Sequence, residues 1–228
     1  MTMSFQGFPE ETAQFLWGIR LNNERGWFLA HKGDYQNYAY NPLCALGEEV
    51  QERFLEANPG LELNLRVTRI YRDVRLVRDG RRYKDHLWFV LYPPQERWTA
   101  SAAFYFEIAP EGYELGMGYY WTPPAMMELY RRKLLEERPR AEALAQGLLA
   151  RPDFQLTGDE YKRPKGEAGD LLKPWFNRKT VALCSPRSYD DGRCSTPALV
   201  DDVAEGFQWL LPYYRFFREL EEAYRQQQ

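Results

Sequence analysis

Cysteine, histidine and long apolar runs are scarce in this chain of 228 residues. The three cysteines (Cys44, Cys184 and Cys194) lie far apart and form neither a CxxC pair nor a zinc-binding spacing. Reduced thiols in a cytoplasmic protein are therefore expected. No run of about 18 apolar residues occurs, which predicts that no segment spans a membrane. The first residues lack the basic and then apolar pattern of a signal peptide, so none is expected.

The motifs of common catalytic and nucleotide-binding classes are also missing. The chain contains no GxSxG, GxxxxGK[ST] or HExxH sequence, so it lacks the usual signatures of α/β-hydrolases, P-loop NTPases and zinc proteases. Gly116-Met117-Gly118 has neither the third glycine nor the βαβ context of a dinucleotide-binding turn, and it indicates a bulge or close packing within a strand. No cofactor is implied, and whether the protein is an enzyme is left open.

The order of the expected elements predicts an α+β fold. Pro9, with two acidic residues after it, is typical of a helix start. A helix is expected over residues 34–58, with Asp34 as its N-cap and Pro42 as a kink or restart. Two further helices are expected in the middle, at 124–137 and 139–150, and a long one from Pro197. Segments rich in β-branched and aromatic residues are expected as strands at 65–72, 87–92, 100–108, 113–120 and 177–184.

The connections between these strands predict how they pair. From Tyr92 onward the connections between the middle strands are too short for helical crossovers, so neighbouring strands are expected to be antiparallel. No linker or repeat is visible. The sequence therefore predicts a single domain over residues 1–228, a mainly antiparallel central sheet flanked by N-terminal, middle and C-terminal helices. Aromatic residues make up 16% of the chain, which favours an aromatic-rich core.

The strongest local signal is the basic segment, residues 66–86, which reads RVTRIYRDVRLVRDGRRYKDH. Seven Arg and one Lys against three Asp give it a formal charge of +5, although the whole chain carries −3. A concentrated positive field in an acidic protein usually has an anionic target. Strand geometry would place Arg66 and Arg72 on one face and Arg69 on the other. Asp79-Gly80 indicates a turn.

The basic loop, residues 161–166, is a second concentration of positive charge and reads YKRPKG. Its Pro164 and Gly166 restrict the shape of the loop and allow its backbone to approach a ligand closely. A solvated, salt-bridged surface is the plain alternative for both segments. If the two converged on one cleft, they would form an oxyanion site, because the arginine fork fits phosphate and carboxylate groups.

Acidic residues and a histidine within the basic segment raise the questions of a metal and of a general base. His86 is a candidate general base or phosphate contact, and a hydrogen-bonded structural role is the alternative. Asp73, Asp79, Asp85 and His86 make a poor metal site, because the neighbouring arginines oppose a bound cation. No metal site is predicted.

Several motifs, in order, resemble a bacterial and fungal family catalogued as domain of unknown function 2461. The N-terminal signature of that family is matched by FQGF at 5–8 and LNNERGWF at 21–28, followed by His31-Lys32 and Tyr35. The central motif is matched by Arg72-Asp73-Val74-Arg75, Asp79 and Tyr83-Lys84, and the later basic loop by residues 162–166. The chain departs from the pattern at residues 76, 79–82 and 167, as a divergent member would. The resemblance implies one integral domain and no known activity.

The first functional hypothesis is an uncharacterised cytoplasmic protein with an Arg/Lys-lined cleft for a phosphorylated or carboxylated ligand. In this hypothesis Arg72 and Arg75 grip the oxyanion, and nearby aspartates orient the two guanidinium groups. The residues assigned to the cleft are Arg72, Asp73, Arg75, Asp79, Tyr83, Lys84, Lys162, Arg163 and Lys165. If a reaction occurs, stabilising the charge of a phosphoryl or acyl transition state is the role such a cleft suits.

Two other hypotheses come from different classes of protein. A nucleic-acid-binding module would track phosphates with the basic residues and stack bases on Tyr71, Tyr83, Trp88 and Phe89. A purely structural Arg–Asp network would hold loops together and leave no oxyanion site. The sequence makes no prediction of the oligomeric state.

Overall fold

The computed structural model describes residues 4–73 and 80–227 and shows an α+β fold. Its α-helices are α1 (Glu10–Leu21), α2 (Arg25–Ala30), α3 (Lys32–Asp34), α4 (Asn41–Glu56), α5 (Pro124–Glu136), α6 (Arg138–Leu149), α7 (Lys173–Phe176) and α8 (Leu199–Arg225). A π-helix spans Tyr35–Tyr40, and a 3-10 helix spans Tyr189–Asp191. The strands are β1 (Asn64–Val67), β2 (Leu87–Tyr92), β3 (Ala103–Ala109), β4 (Gly112–Gly118), β5 (Gln155–Thr157) and β6 (Ala182–Arg187).

These strands form a six-stranded antiparallel sheet with the order β1-β2-β3-β4-β6-β5. The register of β5 against β6 pairs Gln155 with Cys184 and Thr157 with Ala182. The predicted α+β class and antiparallel central sheet are therefore confirmed. Within the part of the chain that the structure describes, no helix has both the length and the apolar composition needed to cross a bilayer.

The N-terminal helices follow the sequence signals except at Asp34. Helix α1 begins directly after Pro9, as predicted. The helix expected over 34–58 is divided into the π-helix and α4, and Pro42 lies in the first turn of α4, directly after the change from one helix type to the other. Asp34 is not an N-cap: its backbone is already helical (φ −62°, ψ −44°) and its side chain caps no N–H.

The strand predictions are accurate for β2 and less so at the basic segment and near β6. The strand expected over 65–72 ends at Val67 and is followed only by an isolated bridge at Tyr71. The strand expected over 177–184 begins later, at Ala182: Asn177 is the C-cap of α7, and Arg178 forms only an isolated bridge with Glu160. The three-residue strand β5 was not predicted, since it is too short to show a period.

The chain forms two compact units, each with its own aromatic core. Unit 1 consists of Met1–Leu91, Tyr105–Leu115 and Pro186–Gly206, and unit 2 of Tyr92–Phe104, Gly116–Ser185 and Phe207–Gln228. In unit 1, Phe8 stacks on Phe106 with ring centroids 6.1 Å apart. In unit 2, Phe104 contacts Phe207 at 5.1 Å and Tyr214 at 4.7 Å. The high aromatic content is thus used for core packing.

Strand β3 alternates between a buried and a half-buried side. Phe106 and Ile108 are fully buried, whereas Tyr105 and Glu107 are partly exposed. This period of two was expected from the sequence of the strand. It leaves a carboxylate on the more open side of the sheet in unit 1.

The single domain over 1–228 remains a prediction, and its cooperativity can be measured. Strands β3, β4 and β6 and helix α8 each have residues in both units. We therefore expect the thermal unfolding curves from far-ultraviolet circular dichroism and from tryptophan fluorescence to superimpose. Two separated midpoints would contradict a single cooperative domain.

Candidate functional site

The two ends of the basic segment pair as antiparallel arms. Tyr71 and Tyr83 form an isolated antiparallel bridge. Next to it, the N–H of Arg72 donates to the carbonyl of Arg82 at 2.9 Å. Residues 74–79, which connect the two arms, lie outside the described residues. The pairing holds the backbones of the two arms side by side. These arms carry the arginine and lysine side chains that the sequence analysis assigned to the site.

The side chain of Asn23 binds the second arm as a neighbouring strand would. Its Oδ1 accepts from the N–H groups of Arg82 (2.8 Å) and Tyr83 (3.0 Å), while its Nδ2 donates to the carbonyls of Tyr83 (2.9 Å) and Ile19 (3.2 Å). One amide therefore joins the end of α1 to the basic segment. The sequence analysis did not predict this contact, because a contact with residues 60 positions away leaves no periodic signal.

An aromatic group attaches both arms to α2. The ring of Phe28 lies 4.4 Å from that of Tyr83 and 5.6 Å from that of Tyr71. Tyr83 is only 5% exposed and Phe89 is fully buried, whereas Tyr71 is 54% exposed. Tyr83 thus packs the arm in place, and its assigned contact with a ligand remains a prediction. Two of the four aromatics proposed to stack nucleic-acid bases, Tyr83 and Phe89, are in the core.

Lys84 is held in place and surrounded by positive charge. Its Nζ donates to the carbonyl of Arg69 at 2.7 Å and lies 4.5 Å from the centre of the Trp88 ring. Burial lowers the pKa of Lys84, and the charges of Arg66 and Arg72 lower it further. Arg66, Arg72 and Lys84 are called the cation cluster below. A lowered lysine pKa shows that the native environment disfavours the ammonium form.

Arg69 lies on another side of the first arm. Burial raises the pKa of Tyr40, the neighbouring Cys44 raises it further, and the charge of Arg69 acts in the opposite direction. Tyr40 is the last residue of the π-helix. The charge of Arg69 therefore acts on Tyr40, while the charges of Arg66 and Arg72 act on Lys84. Because β1 ends at Val67, the alternation expected for a strand does not account for this difference.

The other assigned residues fall in three places. Asp73 is exposed on the first arm. Arg75 and Asp79 lie outside the described residues; Gly80, which follows them, has a φ of 72°, a conformation that glycine favours in turns. The basic-loop residues Lys162, Arg163 and Lys165 are exposed and belong to unit 2, whereas the basic segment belongs to unit 1. The convergence of the two remains a prediction.

An ion-pair network that the sequence did not reveal follows the second arm. The Nε of Arg20 donates to Asp85 at 2.6 Å, and its two terminal nitrogens both pair with Glu111. The Nδ1 of His86 lies 2.9 Å from the other oxygen of Asp85. An aspartate at Nδ1 orients an imidazole and leaves Nε2 for another partner. Arg20 was missed because it lies in a helix with no charge pattern.

Two glutamates in unit 1 lie beside this network at a cavity of about 440 Å³. Glu107 and Glu114 line the cavity, and Tyr105 donates its hydroxyl to Glu114 at 2.5 Å. Burial raises the pKa of Glu107; the charge of His86 opposes this, and that of Glu114 adds to it. Among the described residues, no group of three or more His, Cys, Asp or Glu side chains could hold a metal ion.

Comparison with known protein families supports the resemblance found in the motifs. The family model described as "Conserved hypothetical protein (DUF2461)" matches residues 11–216 and so includes both the basic segment and the basic loop. No curated protein matches the chain. Because the family description names no ligand and no reaction, the function has to be argued from the site.

Replacing Asn23 with alanine should destabilise the protein by roughly 2–3 kcal/mol, because it strands backbone groups of the second arm. Asn22→Ala is the matched control: its side chain makes one exposed bond, to the carbonyl of Gly18, and should change stability by less than about 0.5 kcal/mol. Urea unfolding of the three proteins measures both effects. Equal losses in the two variants would show that Asn23 has no special role.

Glu107→Gln should stabilise the protein more as the pH rises. The raised pKa of Glu107 means that the folded state binds its proton more tightly than the unfolded state. Native stability from this group is therefore lost as the pH rises from the unfolded pKa of about 4.3 through the folded pKa. The stability difference between Glu107→Gln and wild type should be larger at about pH 8 than at about pH 4.

Glu111→Gln is the control of opposite sign for this experiment. Its hydrogen bond with Arg20 lowers the pKa of Glu111, so the wild-type carboxylate stabilises the fold at neutral pH and loses that effect in acid. The same pH trend in both variants would contradict the assignment of Glu107.

Proposed function

The chain belongs to the conserved hypothetical protein family DUF2461, and we propose that it binds a phosphorylated or carboxylated small molecule at the cation cluster. The observation that carries the proposal is the lowered pKa of Lys84. Burial is the largest cause, and the positive charges of Arg66 and Arg72 lower the pKa further. A bound oxyanion would reverse that effect by favouring the charged amine. The cytoplasmic location expected from the sequence belongs to the same proposal.

The chemistry of the cluster suits an oxyanion. At an assumed separation of about 6.5 Å and an effective dielectric constant of ~20, two guanidinium groups repel by roughly 2.5 kcal/mol. A ligand with two or more oxygens offsets such repulsion. Arg72 offers the planar two-pronged donor, and Lys84 offers a point charge. The carbonyl of Arg69 and the ring of Trp88 already fix Lys84, so little side-chain entropy is lost on binding.

The remaining assigned residues have supporting roles in the proposal. Asp73 and Asp79 would orient the guanidinium groups, and Arg75 would add a second fork. Lys162, Arg163 and Lys165 were assigned from the sequence to the opposite wall. The experiments below use only the described residues of the basic segment, so they test the cation cluster without these additions.

A small ligand is favoured over a nucleic acid by the burial of the aromatic residues. Stacking of unpaired bases needs exposed rings, and Tyr83 and Phe89 do not provide them. Tyr71 is exposed, but its ring lies against Phe28, and Trp88 carries the ammonium of Lys84. A structural Arg–Asp network is the other alternative, and the stability of an Arg72 variant separates it from binding.

Arg72→Ala should raise the pKa of Lys84, because it removes one of the two positive charges acting on that amine. Saturating pyrophosphate should shift the wild-type pKa in the same direction. Carbon-13 NMR of reductively methylated lysines follows both shifts. Arg69→Ala is the matched control. The contact of Arg69 with Lys84 is through the backbone carbonyl, which the variant keeps, so the pKa of Lys84 should not change. An unchanged pKa in Arg72→Ala and with pyrophosphate would exclude the cluster as an oxyanion site.

The same variant separates binding from structure. In a binding site, Arg72→Ala keeps or slightly raises the stability of the free protein and removes the stabilisation that pyrophosphate gives through the cation cluster, which is about 2.7 kcal/mol at 100 times the dissociation constant. In a structural network, the variant strands a carboxylate and loses about 3–5 kcal/mol. Urea unfolding with and without pyrophosphate, at low salt, gives both quantities. A large loss of stability in Arg72→Ala, together with no stabilisation of the wild-type protein by pyrophosphate, would favour the structural network.

A further inference from the structure

Arg131 is the only buried lysine or arginine among the described residues, being 8% exposed. It lies on α5 in unit 2. Its Nη1 is enclosed and has no hydrogen-bond partner. A buried cation without a partner is far more costly than a paired one. Such an atom in a native structure usually indicates an ion or a water molecule that belongs there.

The surroundings of Arg131 supply a second cation instead of a carboxylate. Its guanidinium carbon lies 5.5 Å from the centre of the Tyr161 ring. The Nζ of Lys165 lies 4.5 Å from the centre of the same ring. Arg131 and the basic loop therefore meet at Tyr161, and both charges share one aromatic side chain. An aromatic ring attracts cations but cannot neutralise them.

The acids nearest the start of the loop are engaged with other cations. Glu160 pairs with Arg178 at 3.1 Å, and Asp159 pairs with Lys179 at 3.8 Å. In the described part of the chain, no ion pair involves Arg131 or the cationic residues of the basic loop, which are Lys162, Arg163 and Lys165. The local excess of positive charge is thus left without a protein partner.

The loop is held at both ends by Asn177. The N–H of Tyr161 donates to the backbone carbonyl of Asn177 at 2.9 Å, and the N–H of Lys165 donates to its Oδ1 at 3.3 Å. The backbone of Gly166 has a φ of 140°, and a Cβ there would lie 3.2 Å from the ring of Phe176. These contacts fix the loop near Arg131, so its charges are in place before any ligand arrives.

We propose that Arg131, Tyr161 and Lys165 form an anion site within unit 2 that takes a phosphate group of a small molecule. A phosphate monoester carries a charge of about −1.5 to −2 at pH 7. This charge balances the two cations at the Tyr161 ring better than the single charge of a carboxylate does. Arg131 supplies its unpartnered N–H groups, Lys165 supplies a point charge, and Lys162 and Arg163 strengthen the surrounding field. The inference extends the proposed anion binding but uses no residue of the cation cluster.

Arg131→Met is the decisive variant, with inorganic phosphate as the probe at low ionic strength. If the site exists, phosphate raises the wild-type melting temperature to a plateau, and acetate at the same ionic strength does so less. In Arg131→Met the free protein melts at the same or a higher temperature, because a buried unpaired charge is gone. The dissociation constant of Arg131→Met for phosphate is larger by at least about tenfold, because the variant loses a charged hydrogen bond.

Arg132→Met is the matched control, since Arg132 is the exposed neighbour on the same helix and makes only a 3.5 Å contact with Gln227. It should bind phosphate like wild type. Both variants are also measured in an Arg72→Ala background, where the cation cluster no longer binds phosphate, so the remaining phosphate response reports this site alone. A folded Arg131→Met protein that binds phosphate normally would overturn the inference.

Lys165→Met keeps the inference testable if Arg131→Met fails to fold. Lys165 is exposed, so its replacement should leave the fold intact. The variant should weaken phosphate binding by about tenfold, as expected from the loss of one charged partner. Unchanged binding in Lys165→Met would contradict the site regardless of the result with Arg131.

Discussion

The carboxamide of Asn23 is the contact on which the arrangement of unit 1 depends. It lies directly after α1 and uses its acceptor and its donor on backbone groups of the second arm. The second arm pairs with the first arm on one side, and on its other side the side chain of Asn23 takes the place of a neighbouring strand. Because Lys84 is the next residue after Tyr83, this contact also sets the position of the lysine over Trp88. Helix end, aromatic packing and cation cluster are linked through one amide.

Charge is distributed unevenly in this protein, and the unevenness is informative. Some cations are neutralised well: Arg20 is shared between Asp85 and Glu111, and Arg218 between Glu96 and Glu221. Elsewhere the charges of Arg66 and Arg72 lower the pKa of Lys84, and Nη1 of Arg131 has no hydrogen-bond partner, although the chain as a whole is acidic. Such local concentrations of positive charge in an acidic protein create a field that attracts anions.

The sequence predicted what depends on local period and missed what depends on single long-range contacts. Strand β2 and helix α5 were found because apolar residues and prolines mark them, whereas the strand expected over 65–72 ends at Val67, so strand alternation does not place Arg69 and Arg72. The π-helix was missed because its extra residue per turn alters no composition. Arg131 was missed because it lies in an ordinary basic run of a helix, and only the packed structure shows that it is buried while Arg132 is not.

The interleaving of the two units has a consequence for synthesis. The chain enters unit 2 at Tyr92, returns to unit 1, and finishes each unit only near its end, with Pro186–Gly206 for unit 1 and Phe207–Gln228 for unit 2. On the ribosome, neither unit can be completed while the last fifth of the chain is still untranslated. The aromatic residues of both cores therefore stay incompletely packed until these last segments are available.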